Sequence, residues 1–494
     1  MELRMDKIQE KKLKKLGFML CEICSERQAS YIISTIVDSN LKEFRACEDC
    51  ATGNIKAKAD VTEQTVSICP RCHCSFQADI EKGCFPLLGC EECYNHFHDQ
   101  LISLLSKTHG SIKHKGKSIL NQSQTVEKTN KTKIRFLHSA ISIKEAKWMQ
   151  DSGPDLDVVV SSRIRLARNI KGFLFCSVAD QIELMEIAAL AERASAEIAE
   201  YENSPLRNAY VIDLDELDEI DCGFLMERHL ISRDLAEKYI ARKVIIDEKE
   251  NISIMINEED HIRLQAMGSG LQLKQLWELI SSIDNDLSKK INYSFSPELG
   301  FLTSCPTNTG TGLRVSVMFH LPALSLTKEG KRIINSISNM GYAVRGIYGE
   351  GSRNLGSFYQ ISNEATLGQS EEEIIECMRS IALQIIFKER EERQALLKYN
   401  RIKLEDKVFR AYGILVNAKT ISSIESLELL SWISLGISLG IIKGLQPNEV
   451  SKLLTLTRSA HLQKREGKRL EPILRDIKRA EIIGKVIKNG SYIR

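Results

Sequence analysis

Asp157-Val-Val-Val-Ser-Ser-Arg-Ile-Arg-Leu-Ala-Arg168 alternates, in its second half, between apolar and cationic side chains. Successive side chains of a strand point to opposite faces, so Ile164 and Leu166 fall on one face and Arg163 and Arg165 on the other. Two guanidinium forks then project side by side. Arg is planar and permanently charged, and suits an anion with several oxygens, such as a triphosphate, better than Lys does. Taken alone, such a strand is more often an ordinary polar face, and its value depends on the motifs downstream of it in the chain.

Ile252 to Ile256 reads as another strand and runs directly into Asn257-Glu-Glu-Asp-His-Ile-Arg263. Three consecutive acids beside an Arg can cap a helix or bind a cation. They also suit a reaction in which a guanidinium becomes the nucleophile, because that group is protonated at physiological pH and a carboxylate must take its proton. Cys305-Pro-Thr-Asn-Thr-Gly-Thr-Gly-Leu-Arg314, continuing to Met318, is rich in Gly and Thr, as expected of a loop whose backbone N–H groups approach phosphate oxygens. Arg345-Gly-Ile-Tyr-Gly-Glu350 adds a second Gly-rich turn. No Gly-Lys-Ser/Thr follows the first loop and no His-Arg-Asp set occurs, which argues against the P-loop and protein-kinase superfamilies. Arg163, Arg165, Arg263, Arg314 and Arg345 together match the negative charge that a phosphoryl-transfer transition state spreads over its oxygens, with Mg²⁺ as the expected companion.

Upstream lies a different chemistry. Ten of the 14 cysteines fall in the first 93 residues, eight of them as the Cys-x-x-Cys pairs Cys21/Cys24, Cys47/Cys50, Cys69/Cys72 and Cys90/Cys93. Such a turn presents two thiolates to one ion, and two turns complete a tetrahedral zinc site. Seventeen residues separate Cys72 from Cys90 and 22 separate Cys24 from Cys47. Sequential pairing into two structural zinc sites is the expectation, with interleaved pairing as the alternative. Cys74 and Cys84 read as non-ligating, and His96, His98 and His114 as less suited substitutes. A module this small has little apolar core, so metal supplies much of its folding free energy.

A chain of 494 residues exceeds one ordinary core. The net charge of +2 conceals eight Lys/Arg against one acid between Lys107 and Arg135, a solvated linker. Leu429 to Ile442 is too short an apolar run to span a bilayer and reads as a buried helix. No secretory signal is evident and paired cysteines fit a reducing compartment, so a cytoplasmic location is expected. The expected organisation is multidomain: a zinc-ribbon module over 1–110, a basic polar linker over 111–150, an α/β (α+β) catalytic domain over 151–390 and a helical domain over 391–494. That last segment carries Arg475-Asp-Ile-Lys-Arg-Ala480, which by itself is a charged helix face with i to i+4 spacing.

The motifs from Ser161 to Glu350 together resemble the catalytic domain of the phosphagen (guanidino) kinases, and within that superfamily the protein-arginine kinase (McsB) branch, from about residue 150 onward. The four cysteine pairs, Cys90-Glu-Glu-Cys-Tyr-Asn-His-Phe97 and His109-Gly…His114-Lys-Gly-Lys117 resemble the McsA zinc-binding activator. The resemblance implies an antiparallel sheet flanked by helices and ATP-dependent phosphorylation of arginine side chains on proteins. Glu259 would be the base, with Arg263, Arg314 and the pocket cysteine Cys305 as catalytic partners. ATP would be held by Ser162, Arg163, Ile164, Arg165 and Leu166, by His229, by Arg263, by Arg314, Val315, Ser316, Val317 and Met318, and by Arg345, Gly346, Ile347, Tyr348, Gly349 and Glu350. Arg475, Asp476 and Arg479 would form a phosphoarginine pocket that promotes self-association. The implied partners are arginine-bearing protein substrates, a Clp ATPase/protease and a heat-shock repressor. Small-molecule phosphagen kinases carry a helical domain before the catalytic one, and a second Arg where this chain has Tyr348; both departures favour a protein substrate. The charged helical hairpin that usually follows McsA zinc sites has no counterpart here. A kinase of small guanidino compounds, a non-catalytic phosphoarginine adaptor and a zinc-dependent nucleic-acid binder are the competing readings.

Overall fold

The structure, a computed structural model, describes residues 67–76, 85–119, 147–149, 151–237, 240–346 and 355–489, together with strands at Arg4–Lys7, Tyr31–Val37, Asn40–Ala46, Arg135–Phe136 and Ser491–Tyr492. Two compact units result, Met1–Ser67 and Ile68–Arg494. In the first, Tyr31–Val37 pairs antiparallel with both Arg4–Lys7 and Asn40–Ala46. Cys21, Cys24, Cys47 and Cys50 lie outside the described residues, as does Cys84.

The second unit is built on a nine-stranded sheet in the order Tyr342–Gly346, Phe358–Asn363, Leu313–His320, Val159–Arg168, Ile262–Ser269, Ile252–Ile256, Lys243–Ile246, Tyr210–Asp213, Arg135–Phe136. Every pairing is antiparallel except the last. The expected strand is Val159–Arg168, at the centre, with Ile164 and Leu166 fully buried. They join Val315, Val317, Leu264 and Ile361 in an apolar layer. Three helices, Gln181–Ala199, Leu273–Ser288 and Glu371–Tyr399, contribute to that layer. Leu273, Leu276, Trp277, Ile280, Ile283 and Leu287 recur at the three- and four-residue spacing that gives a helix one apolar stripe. Ser370 opens the longest of these helices with a capping box closed by Glu373. Near its other end the buried Arg393 donates to the carbonyls of Asp157 and His320 and pairs with Glu389, which fixes the helix to the sheet. With one face covered, the opposite face, which carries the arginines, is left for function.

From Arg401 onward, the helices Arg401–Asn417, Ser423–Ser438, Pro447–Leu456, Ser459–Glu466 and Pro472–Ile487 enclose a separate core of Leu404, Val408, Leu415, Leu430, Ile433 and Ile483. The apolar run from Leu429 is helical as far as Ser438 and ends in a left-handed Gly440. Among the described residues, no helix is long and apolar enough to cross a membrane.

The second half of the cysteine-rich segment packs with the catalytic domain. Its helices Glu92–His96 and His98–His109 bury Tyr94, Phe97, Leu101, Leu104 and Leu105 against Phe175, Leu299, Leu302 and Leu367. Beyond Gly110, Lys117 reaches Asp284 at 3.2 Å, and Asp284 also holds the fully buried Arg168 through two bonds of 3.0 Å. A ribbon too small for its own core thus shares one with its neighbour.

Candidate active site and metal centre

Strand register collects the arginines. Arg165 lies opposite Arg314 on one side and Gln265 on the other, while Arg163 lies opposite Ser316 and Met267. Residues opposite one another share a face. Arg263, two positions from Gln265, and Arg345, opposite Gln360, therefore join the same surface. Arg163 donates to Ser316 Oγ at 3.3 Å and Gln360 Oε1 at 3.2 Å, and Arg314 to Ser362 Oγ at 3.2 Å. These acceptors are neutral and do not compensate the cationic charge. Burial first, then Arg314 and Arg263, pull the Arg163 guanidinium down to about 10. Arg165 is lowered further by burial and by Arg163, Arg263 and Arg314, and its Nε is buried without a hydrogen-bond partner. Such a surface fits a polyanion.

Alternation divides the contiguous runs expected to hold ATP. Ile164, Leu166, Val315 and Val317 face the apolar core, and Ser162 donates to the Gly270 carbonyl at 2.7 Å, so these five side chains point away from the arginine face. Arg163, Arg165, Arg314, Ser316 and Met318 remain on it. His229 adopts a left-handed conformation (φ 61°), and its carbonyl accepts from Gln265 at 2.6 Å. Burial, with Arg458 and Arg163 nearby, lowers its imidazole to about 3, so it is neutral. His229 and Met318 line a narrow cleft whose other wall brings Asn448, Thr455 and Arg458 from the C-terminal domain. Gly346 ends a strand, whereas Ile347, Tyr348, Gly349 and Glu350 lie outside the described residues.

The acids occupy the turn between Ile252–Ile256 and Ile262–Ser269, and each is sent a different way. Asn257 enters it at φ 60°, a conformation Asn tolerates, with its amide donating to the carbonyls of Leu184 and Ala241 at 2.8 Å each. Glu258 is fully buried and pairs with Arg263 at 2.7 Å; burial opposes its charge, but Arg263 and its hydrogen bonds hold it below the ordinary carboxylate range. Asp260, also fully buried, accepts from Asn169 at 2.8 Å and from the Ser304 N–H at 2.7 Å. His261 accepts from the Ile170 N–H at Nδ1 and donates from Nε2 to the Leu174 carbonyl, which makes it neutral. Glu259 alone of the three acids keeps a quarter of its side chain exposed (26%), with Oε1 held by Asn308 at 2.9 Å and Arg263 at 3.2 Å. Burial pushes Glu259 up to about 7, against Arg263 and with help from Asp260 and Glu258. A carboxylate that titrates near neutrality beside a cationic face is poised to exchange a proton. Cys305 Sγ lies 3.0 Å from Thr307 Oγ1, and burial together with the charge of Glu259 pushes its thiol up, so it stands protonated and not as the thiolate that the family resemblance implies.

The ribbon supplies the metal centre. Sγ atoms of Cys69, Cys72, Cys90 and Cys93 all lie within 4.8 Å of one another, with separations of 3.7 Å for Cys69 and Cys90, 3.2 Å for Cys72 and Cys93 and 3.8 Å for Cys90 and Cys93. Four thiolates at zinc's bond length around a tetrahedron would sit about 3.8 Å apart, so the cluster fits that ion. The second site thus has the sequential pairing. Cys74 is outside the cluster, His98 pairs with Asp99 and His114 with the Lys117 carbonyl, so none of these replaces a cysteine.

Three family descriptions match in tandem: "McsA central zinc-finger domain" over residues 67–116, "ATP:guanido phosphotransferase, C-terminal catalytic domain" over 190–392 and "Protein-arginine kinase McsB C-terminal domain" over 401–492. A protein-arginine kinase of Geobacillus thermodenitrificans is 48% identical over 355 residues, covering 72% of this chain and 96% of the relative. The chain belongs to the protein-arginine kinase family. Another member, from Desulforamulus reducens, is 44% identical over 352 residues, covering 70% of this chain and 97% of the relative. Among solved structures, a lombricine kinase aligns with a TM-score of 0.49 at 22% identity, covering 62% of this chain and 80% of that one.

In the kinase's C-terminal domain, Arg479 is buried and committed to protein partners. It donates to the carbonyls of Thr457 and Ile421 at 2.9 Å each and is ion-paired with Asp476. Arg475, half-buried four residues earlier on the same helix, has a different environment, so the expected pair of clamping arginines is not equivalent. Sequence reasoning passed over Asn308, Asn169, Tyr94 and His109. Asn308 sits in the loop already singled out by its Gly and Thr content. Tyr94 and His109 fall inside the stretches that carry the zinc-binding resemblance, but nothing local gives them, or Asn169, a role, because their partners are distant in the chain.

Proposed function

We propose that this chain transfers the γ-phosphoryl group of ATP to a guanidino nitrogen of arginine residues on proteins. The observation that carries it is Glu259, the partly exposed carboxylate that titrates near neutrality at the edge of a buried arginine face. Arg163, Arg165, Arg263, Arg314 and Arg345 hold the triphosphate, with His229 and Met318 toward the nucleoside side of the cleft. Mg²⁺, carried in with the nucleotide, supplies further neutralisation of phosphate charge. Asn308 and Arg263 fix Glu259 through Oε1, so that Oε2 faces the arriving guanidinium and takes its proton as the N–P bond forms. Arg263, anchored by Glu258, stays aligned throughout. Cys305, as a neutral thiol, lines the acceptor side and helps orient the guanidino group.

Zinc holds the ribbon at Cys69, Cys72, Cys90 and Cys93, and a second zinc belongs at Cys21, Cys24, Cys47 and Cys50. By function the chain divides into 1–110, 111–150, 151–390 and 391–494, although the packing of the ribbon and of Lys117, and the helix Glu371–Tyr399, cross these boundaries. Arg475 presents phosphate-binding capacity at the C-terminal helix, where Asp476 and Arg479 shape a phosphoarginine pocket that supports homo-oligomers. A cytoplasmic stress-response role completes the reading, with a Clp ATPase/protease and a heat-shock repressor as partners.

The test incubates the full chain with Mg-ATP and casein, maps phosphate by mass spectrometry under conditions that spare N–P bonds, and uses Glu259→Ala as control. Phosphoarginine from the parent alone is the expected result. Phosphate on free arginine but not on casein would replace this assignment with a small-molecule kinase, and none on either would leave a phosphoarginine-binding adaptor.

A further inference from the structure

The loop that holds Glu259 has almost no regular structure of its own. Between Thr303 and Thr309 it contains one short 3-10 turn, Pro306–Asn308, and from that turn Asn308 donates to Glu259 Oε1 at 2.9 Å. A side chain on an irregular loop is only as well placed as the groups that pin the loop. Several of those groups come from the zinc-finger segment. The Leu88 N–H donates to the Ser304 carbonyl at 2.7 Å. His109 accepts the Thr366 N–H at Nδ1, so its Nε2 carries the proton and donates to the Pro306 carbonyl at 3.1 Å. Tyr94, the residue after zinc ligand Cys93, is 3% exposed and contacts both ends of the loop. Its hydroxyl donates to the Thr303 carbonyl at 2.8 Å, accepts from the Thr303 N–H at 3.2 Å and lies 2.6 Å from Thr309 Oγ1. Thr303 Oγ1 in turn donates to the Cys305 carbonyl at 2.7 Å.

We propose that Tyr94 is a positioning residue for phosphoryl transfer: held in place by the zinc cluster, it closes the Thr303–Thr309 loop so that Asn308 aligns Glu259. The inference rests on Glu259 being the proton acceptor. Zinc at the four cysteines then acts on the reaction without touching nucleotide or substrate, through the hydroxyl next to a ligand with Leu88 and His109 bracing the same loop, and the ribbon is a fixed part of the catalytic apparatus.

The experiment compares the full chain with Tyr94→Phe, Asn308→Ala, the double variant and Glu259→Gln, measuring kcat, KM for ATP, the pH dependence of kcat, and zinc per chain. Tyr94→Phe keeps the ring in its apolar pocket and removes only the hydroxyl. Its kcat falls about tenfold or more while KM for ATP stays within about twofold, because misplacing a proton acceptor by a fraction of an ångström acts on the chemical step. Zinc content is unchanged. The acidic limb of the kcat profile moves up in both single variants, since a donor to the carboxylate has been lost or displaced. The double variant is no slower than the slower single one, as expected for two residues acting in series. Wild-type kcat and pH profile in Tyr94→Phe, or full additivity in the double variant, overturns the proposal while leaving Glu259 in its role. Activity retained by Glu259→Gln removes that role itself.

Discussion

Glu259→Gln separates catalysis from stability, and the structure sets the size and sign of both effects. The substitution keeps the side chain's shape and an oxygen for Asn308 and Arg263, and removes the charge. In the folded protein the carboxyl titrates at about 7 instead of 4.5. The folded state therefore favours the protonated form, a stabilising effect complete below about pH 4.5 and lost as the pH rises through about 7. At 1.36 kcal/mol per pH unit the interval corresponds to about 3 kcal/mol, and partial exposure trims it toward about 2 kcal/mol. Gln carries no charge at any pH, so at pH 8 the variant is the more stable by that amount, roughly 4–8 °C in the melting of a domain of this size. The difference shrinks to roughly a quarter of that by pH 5 and vanishes only below about pH 4, where the unfolded carboxyl is protonated as well. Activity falls by roughly 10²–10⁴-fold, the range of a lost general base. Differential scanning calorimetry of both proteins from pH 5 to 8, beside phosphoarginine formation on casein, measures the two together. A variant less stable than the parent at pH 8, or a stability difference that does not change with pH, would refute the reasoning.

For the parent enzyme, kcat/KM falls about tenfold per pH unit below about 7, while the limb in kcat lies lower because a bound guanidinium favours the carboxylate; initial rates across pH 5–8 distinguish the two. Arg165→Gln raises KM for ATP about tenfold or more yet does not lower the melting temperature without nucleotide, since it removes a buried charge that three neighbouring arginines repel. Asp284→Asn, which strips Arg168 of its buried partner, costs about 3–5 kcal/mol in urea unfolding. Cys90→Ser lowers zinc per chain by one in a colorimetric assay of denatured protein.

Much of the scaffold was legible because its determinants are local. The two-residue period of Arg163, Ile164, Arg165 and Leu166 sorts charge from apolar surface before any partner strand is known, and 17 residues between Cys72 and Cys90 suit one tetrahedral site. The Leu and Ile spacing after residue 391 needs only the geometry of a helix. The sequence likewise limited the chemistry to clustered arginines near a carboxylate. Residue chemistry alone did not separate three adjacent acids, and only the family resemblance singled out Glu259, since Glu258, Glu259 and Asp260 differ in their neighbours and hardly in themselves. The fold buries Glu258 against Arg263 and Asp260 against Asn169 and Ser304, and leaves Glu259 partly exposed at the edge. Nor did the sequence show that Tyr94 binds a loop 209 residues away, or that Asp476 is occupied by a buried Arg479. Burial, proton affinity and hydrogen-bond partnership are set by what the chain brings together across long separations, and only the tertiary structure decides them.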